Sequence, residues 1–94
     1  MEKTVISTSK APGAIGPYSQ GWTAGDLVFT SGQIPVDPAT GAIPDTIAAQ
    51  AEQSCKDVLA VLEAGGTTAE NVVKTTCFLA DMGDFATFNE VYAK

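Results

Sequence analysis

The stretch Ile47-Ala48-Ala49-Gln50-Ala51-Glu52-Gln53-Ser54-Cys55-Lys56-Asp57-Val58-Leu59-Ala60-Val61-Leu62-Glu63-Ala64, followed by Gly65-Gly66, decides the fold. Ile47, Ala51, Cys55, Val58, Leu59 and Leu62 recur at three- and four-residue steps, which puts them on one face of an α-helix. Asp45 or Thr46 is placed to cap its start, and the glycine pair supplies a left-handed stop. A helix with an apolar stripe buries that stripe, and the neighbouring sequence offers a sheet to receive it. Leu59 falls in the expected core, where an aspartate would leave an unpaired buried charge and remove several kcal/mol of stability.

Upstream, Thr4-Val5-Ile6-Ser7 is a short β-prone run. Gly21 to Gly25 has the pattern of a strand and turn, with Gly25-Asp26 closing a hairpin into Leu27-Val28-Phe29-Thr30-Ser31, which stops at Gly32. Between Ser9 and Gln20, Pro12, Gly13, Gly16 and Pro17 interrupt regular structure and leave an ordered loop anchored by Ile15 and Tyr18. Pro35 to Pro44 is a turn-rich excursion before the helix. Downstream, Asn71 to Leu79 forms the next expected strand. Val73, Cys77 and Leu79 lie on one face and Val72 and Phe78 on the other, so cover on both sides is expected, a partner subunit included. Asp84 is expected to cap a second helix with Phe85, Phe88, Val91 and Tyr92 as its stripe. No glycine or proline closes that helix before Lys94. The β-β-β-α-β-α series is therefore expected to be one domain over residues 1–94, incomplete at its C-terminal end.

Composition narrows the chemistry. The five basic residues are Lys3, Lys10, Lys56, Lys74 and Lys94, and there is neither histidine nor arginine. Imidazole bases, Ser-His-Asp or Cys-His pairs and histidine metal ligands are excluded, as is the bidentate guanidinium clamp on a carboxylate or phosphate. A hydrophobic fraction of 45% with 17% charged residues suits a packed core. The net charge of −6 disfavours a nucleic-acid partner. No apolar run reaches the length of a membrane span, and the N-terminus lacks a signal-peptide core, so a cytoplasmic protein is expected. Cys55 and Cys77 have no metal-like or CxxC spacing, which favours two buried free thiols over a disulfide.

Four places stand out as chemical candidates. Ala14-Ile15-Gly16-Pro17-Tyr18-Ser19-Gln20 presents one phenol, whose plainest role is to anchor the loop. Thr30-Ser31-Gly32-Gln33-Ile34-Pro35 ends a strand at a glycine, where a hydroxyl and free amides suit an anion, or simply a turn. Asn89 is a polar residue between Phe88 and Val91. Asp81, Asp84 and Glu90 are explained by capping and solvation better than by acid–base work or a hard cation. No P-loop, dinucleotide glycine pattern or metal motif is present.

Taken together, the two motifs just quoted, the run Val73-Lys74-Thr75-Thr76-Cys77-Phe78-Leu79-Ala80-Asp81-Met82 and Asp84-Phe85-Ala86-Thr87-Phe88-Asn89-Glu90-Val91-Tyr92 resemble the RidA/YjgF family of reactive-intermediate deaminases. The resemblance implies a chorismate-mutase-like α+β fold, with helices on one face of a mixed sheet and the usual final strands absent. It implies a homotrimer with inter-subunit clefts and no cofactor or metal. The implied activity is hydrolysis of 2-aminoacrylate, 2-iminobutanoate and 2-iminopropanoate to 2-keto acids and ammonia. By the same resemblance Tyr18, Ser31 and Asn89 are the catalytic candidates, while Gly32 and Phe88 bind substrate. The family's carboxylate-clamping arginine has no counterpart here, so the 94-residue chain is expected to be weak or inactive. Losing that contact removes roughly 1.5–3 kcal/mol of binding. A non-catalytic, chaperone-like oligomer is the alternative. The endoribonuclease activity suggested for some relatives sits badly with the charge and the missing arginine.

Overall fold

A computed structural model describes residues 2–93. Three strands, β1 (Lys3–Ile6), β2 (Gly21–Ala24) and β3 (Leu27–Thr30), precede a long helix, α1 (Ile47–Ala64), and a short one, α2 (Phe85–Tyr92). Single 3₁₀ turns occupy Ala69–Asn71 and Met82–Asp84.

The sheet is antiparallel in the order β1-β2-β3. Its hairpin is the expected one: Ala24 pairs with Leu27 across Gly25-Asp26, and Gly25 takes φ 59°, a conformation glycine adopts without strain. The register sorts the side chains by face. Ile6, Gly21 and Val28 point towards α1, whereas Val5, Trp22 and Phe29 are successive cross-strand neighbours on the opposite face.

α1 begins and ends as its sequence predicts. Thr46, rather than Asp45, is the cap, its hydroxyl accepting the Ala49 amide at 3.2 Å. The left-handed residue is Gly66 alone (φ 87°), while Gly65 stays right-handed. The Gly66 amide donates to Glu63 O and the Thr67 amide to Leu62 O, which closes a Schellman motif.

The packing of α1 differs from the expected stripe. Ala51, Val61 and Leu62 are buried with Asp57, whereas Ile47, Cys55, Val58 and Leu59 are half-buried. Val61 is the centre: it joins Ile6 and Ala11 in the core, with Val28 and Ala60 packed against them. Close approach explains the choice. A Cβ on Gly21 would lie 2.9 Å from Val61 Cγ1, and one on Gly65 would lie 2.9 Å from Ile6 Cδ1. The two glycines thus allow the helix to sit directly on the sheet, and Val61, which faces Gly21, becomes the deepest residue. Leu59 is consequently a flank residue rather than the core position.

The other differences follow from missing neighbours. Residues 72–79 form no ladder, so the sheet of the described residues is antiparallel rather than mixed. Val73 and Phe78 are 95% and 92% exposed. The β-branched composition of this run shows what would fit a pleated surface, but a strand needs a partner edge, and none is paired with it here. α2 packs on α1. Its entry turn is organised by Asp81, whose carboxylate accepts the Gly83 amide at 2.8 Å; Asp84 makes no capping bond.

Candidate functional site

The β1–β2 loop and the segment leaving β3 enclose an open cleft of about 380 Å³. Ile15 and Tyr18 line one wall, and Gly32, Gln33, Ile34 and Val36 line the other. The cleft is mostly apolar. Asp37 is its one charged lining residue, and no cation lines it among the described residues.

Tyr18 is half exposed, and its loop bends so that the Tyr18 amide donates to Gly16 O at 2.8 Å. The ring lies over Gly16, where a Cβ would meet it at 3.6 Å. The phenol oxygen accepts a long bond, 3.4 Å, from the Ile15 amide. Its proton remains free to donate into the cleft, so the loop-anchoring and ligand-facing roles of this residue are compatible.

Ser31 stands just behind the opposite wall. Its amide and its hydroxyl both donate to Gln20 O, at 2.9 and 3.1 Å, and its Oγ accepts from Gln33 Nε2 at 3.2 Å. The Ser31 proton is therefore committed to the main chain. The Gly32 amide has no partner among the described residues, and the space where its side chain would stand is empty. A donor free of competition beside an apolar wall is a suitable hold for one oxygen of a small acid.

Asn89 and Phe88 are not brought to this cleft within the chain. They lie on α2, with Asn89 exposed and Phe88 stacked on Tyr92 at 5.3 Å between ring centroids. The Tyr92 hydroxyl is bonded in turn to that of Thr75. Helical spacing places Phe88 and Tyr92 together, and that contact accounts for Phe88 without a ligand.

Two polar residues matter more than their sequence context suggests. Gln20 is buried, and its carboxamide bonds the Thr8–Pro12 segment through both its oxygen and its nitrogen. Asp57 is 1% exposed in the middle of α1. Its Oδ1 accepts from Gln53 Nε2 at 2.9 Å, while Oδ2 is buried without a partner among the described residues. Burial raises its pKa above the ordinary carboxylate value; the Gln53 bond opposes this and the nearby Asp37 charge reinforces it. Neither the helical pattern around Asp57 nor the loop composition around Gln20 distinguishes them from solvated polar residues. No group of three or more His, Cys, Asp or Glu side chains that could hold a metal occurs among the described residues.

A three-stranded antiparallel sheet backed by a long helix, with a Gly/Pro loop beside a strand end, defines a small α+β domain with an open cleft. The sequence profile described as Endoribonuclease L-PSP matches residues 8–94, and the chain belongs to this family, RidA/YjgF. It is 54% identical over 92 residues to the 2-iminobutanoate/2-iminopropanoate deaminase of Salmonella typhimurium, covering 98% of this chain and 71% of that one. It is 53% identical over 94 residues to a RutC family protein of Haemophilus influenzae, spanning all of this chain and 72% of the relative. The crystal structure of Escherichia coli TdcF with bound serine superposes with a TM-score of 0.94 at 51% identity. That match covers 96% of this chain and 71% of TdcF. The fold is thus that of the RidA/YjgF proteins, and the enzyme class of the family is imine deaminase.

Proposed function

We propose that the cleft between Tyr18 and Gly32 binds small 2-imino acids and supports their hydrolysis to 2-keto acids and ammonia. One observation carries the reading. In a chain of the deaminase family, a tyrosine phenol and a glycine whose amide has no partner among the described residues line the same mostly apolar cleft. Water adds to the carbon of the C=N bond, and the resulting carbinolamine expels ammonia to leave the ketone. Apolar Ile15, Ile34 and Val36 suit the short alkyl end of 2-iminobutanoate or 2-iminopropanoate. The Gly32 amide offers one bond to the carboxylate or to the attacking water. The Tyr18 phenol would donate to the nitrogen that departs.

Among the described residues no cation lines the cleft to meet the substrate carboxylate, and Asp37 repels it. The 94-residue chain is accordingly proposed to be a weak catalyst. Keto acid released when a pyridoxal-phosphate dehydratase acts on threonine supplies the test. A small excess over buffer, abolished in Tyr18→Phe and reduced in Gly32→Pro, supports the reading. A rate matching that of the Salmonella relative would refute the argument from missing positive charge. No excess at stoichiometric amounts of folded chain would refute activity in this chain and favour the alternative, a non-catalytic binding oligomer.

We further propose that the protein forms a homotrimer with sites between subunits. The sheet face away from α1 carries Val5, Trp22, Leu27 and Phe29, exposed by 49, 39, 57 and 56%. A contiguous apolar row of this kind favours burial against further copies. A neighbouring subunit would also be the source of Asn89 and Phe88, which their own chain keeps away from the cleft. Light scattering is expected to give three times the 9.7 kDa chain mass, and Phe29→Asp should yield the single chain. A monomeric wild type would end this part of the proposal.

A further inference from the structure

Both walls of the cleft start from one residue. The Gln20 carboxamide oxygen accepts the Thr8 amide at 2.7 Å. Its nitrogen donates to Pro12 O at 2.7 Å, Thr8 O at 3.1 Å and Ala11 O at 3.3 Å, so its two hydrogens are shared among three carbonyls. The Pro12 bond closes residues 12–20 into a ring that contains Gly13, Ile15 and Tyr18 of the cleft wall. The main-chain oxygen of the same residue holds the amide and the hydroxyl of Ser31. Gly32 and Gln33 of the opposite wall follow directly, and Gln33 bonds back to Ser31 through its carboxamide.

We propose that Gln20 is the positioning residue of the site, fixing the distance between the Tyr18 loop and the Ser31–Gln33 strand end. The argument has three parts. Gln20 is 5% exposed, so its bonds are shielded from competing water. The loop it closes is rich in glycine and proline and has no sheet or helix bonds of its own, so the clamp is what orders it. The clamp is bipolar: donor and acceptor are both required, which a carboxylate or a hydrocarbon of similar size cannot reproduce. Gln20 does not itself line the cleft; it bonds Pro12 of the wall and acts on the site through Tyr18 and Gly32. The significance for chemistry rests on the cleft being the substrate site, as proposed above.

The test uses Gln20→Ala and Gln20→Glu in the 94-residue chain, followed by amide NMR and hydrogen exchange. In Gln20→Ala the Thr8 amide is expected to exchange roughly tenfold faster or more, having lost its acceptor. The Tyr18 and Gly32 resonances should shift together while Trp22 and Leu62 stay in place. Gln20→Glu keeps the acceptor for Thr8 but loses donation to Thr8, Ala11 and Pro12. Its Tyr18 and Gly32 signals should therefore move back towards wild type as the new carboxyl protonates, a pH dependence over and above that of wild type and Gln20→Ala, which share the same Asp37 in the cleft wall. If Gln20→Ala does not fold, that pH-dependent return in Gln20→Glu decides alone. Resonances at Tyr18 and Gly32 that stay unchanged in either folded variant, or that move independently of each other, overturn the proposal. Titration with 2-oxobutanoate separates the two ideas. If wild type fails to bind it at Gly32, the substrate reading fails, while coupled motion of Tyr18 and Gly32 still upholds the positioning role.

Discussion

Replacing Asp57 by asparagine should make the protein more stable at neutral pH. Asp57 is 1% exposed; one oxygen has a single bond, to Gln53, and the other has no partner among the described residues. A buried polar group without its hydrogen bond costs about 1–3 kcal/mol, and more when charged. Asparagine keeps the oxygen that Gln53 uses and removes the charge, but leaves an amide nitrogen in the unpartnered position. The two effects partly offset, and a net gain of about 1–2 kcal/mol is expected. For a domain of this size that corresponds to a rise in Tm of roughly 4–16 °C. The pH dependence gives the sharper signature. The folded-state pKa of Asp57 is raised above its unfolded value, chiefly by burial. The folded state therefore binds this proton more readily than the unfolded chain does. The penalty is absent below the unfolded pKa and grows as pH rises through the folded one. Wild type should lose stability across that window, and Asp57→Asn should lack this component. Urea unfolding of both proteins at a series of pH values from acidic to neutral measures the difference. A variant less stable than wild type at neutral pH, with an unchanged pH slope, would refute the assignment of Asp57 as a buried, under-bonded carboxyl.

Gly21→Ala places a methyl group 2.6 Å from the Phe29 carbonyl oxygen and 2.9 Å from Val61 Cγ1, so α1 must lift from the sheet. A loss of about 1–3 kcal/mol in urea unfolding is expected, and an unchanged midpoint would mean that the helix–sheet approach is loose. Thr46→Ala removes the oxygen that accepts the Ala49 amide and should lower stability by about 1 kcal/mol, with little change in the cleft resonances. Iodoacetamide should label Cys77 before Cys55. Contrary to the expectation of two buried thiols, Cys77 is exposed, because residues 72–79 pair with no strand among the described residues. Cys55 is half-buried and has its thiol pKa raised by burial and, secondarily, by the proximity of Cys77. Peptide mapping that finds Cys55 modified first would contradict that packing.

Local signals were legible where the chain itself satisfies them. α1 occupies the residues its periodicity marks, because Thr46 and Gly66 complete its ends without help from elsewhere. The Gly25-Asp26 hairpin is likewise local. The burial of Asp57 and the centrality of Val61 were not legible, since they depend on which helix face meets Gly21 rather than on hydrophobic spacing. Residues 72–79 show the opposite case: their composition suits a strand, but strand formation depends on a partner edge. Tyr18 and Gly32 come together because the loop and the strand end are joined through Gln20. Asn89 and Phe88, carried by a helix that packs on α1, stay outside that local unit. Gln20 itself was hidden because a buried carboxamide looks like any loop glutamine until its carbonyl partners are seen.

The central claim is that the cleft between the Tyr18 loop and the Gly32 strand end receives a small keto or imino acid. Titrating the isotope-labelled chain with 2-oxobutanoate and following its amide resonances tests this most directly, because it requires binding and not turnover. Saturable shifts at Tyr18, Gly32 and Gln33, with affinity in the millimolar range because no cation lines the cleft among the described residues, are the expected result. Shifts confined to α2, or none at Gly32 up to saturating keto acid, would contradict the account.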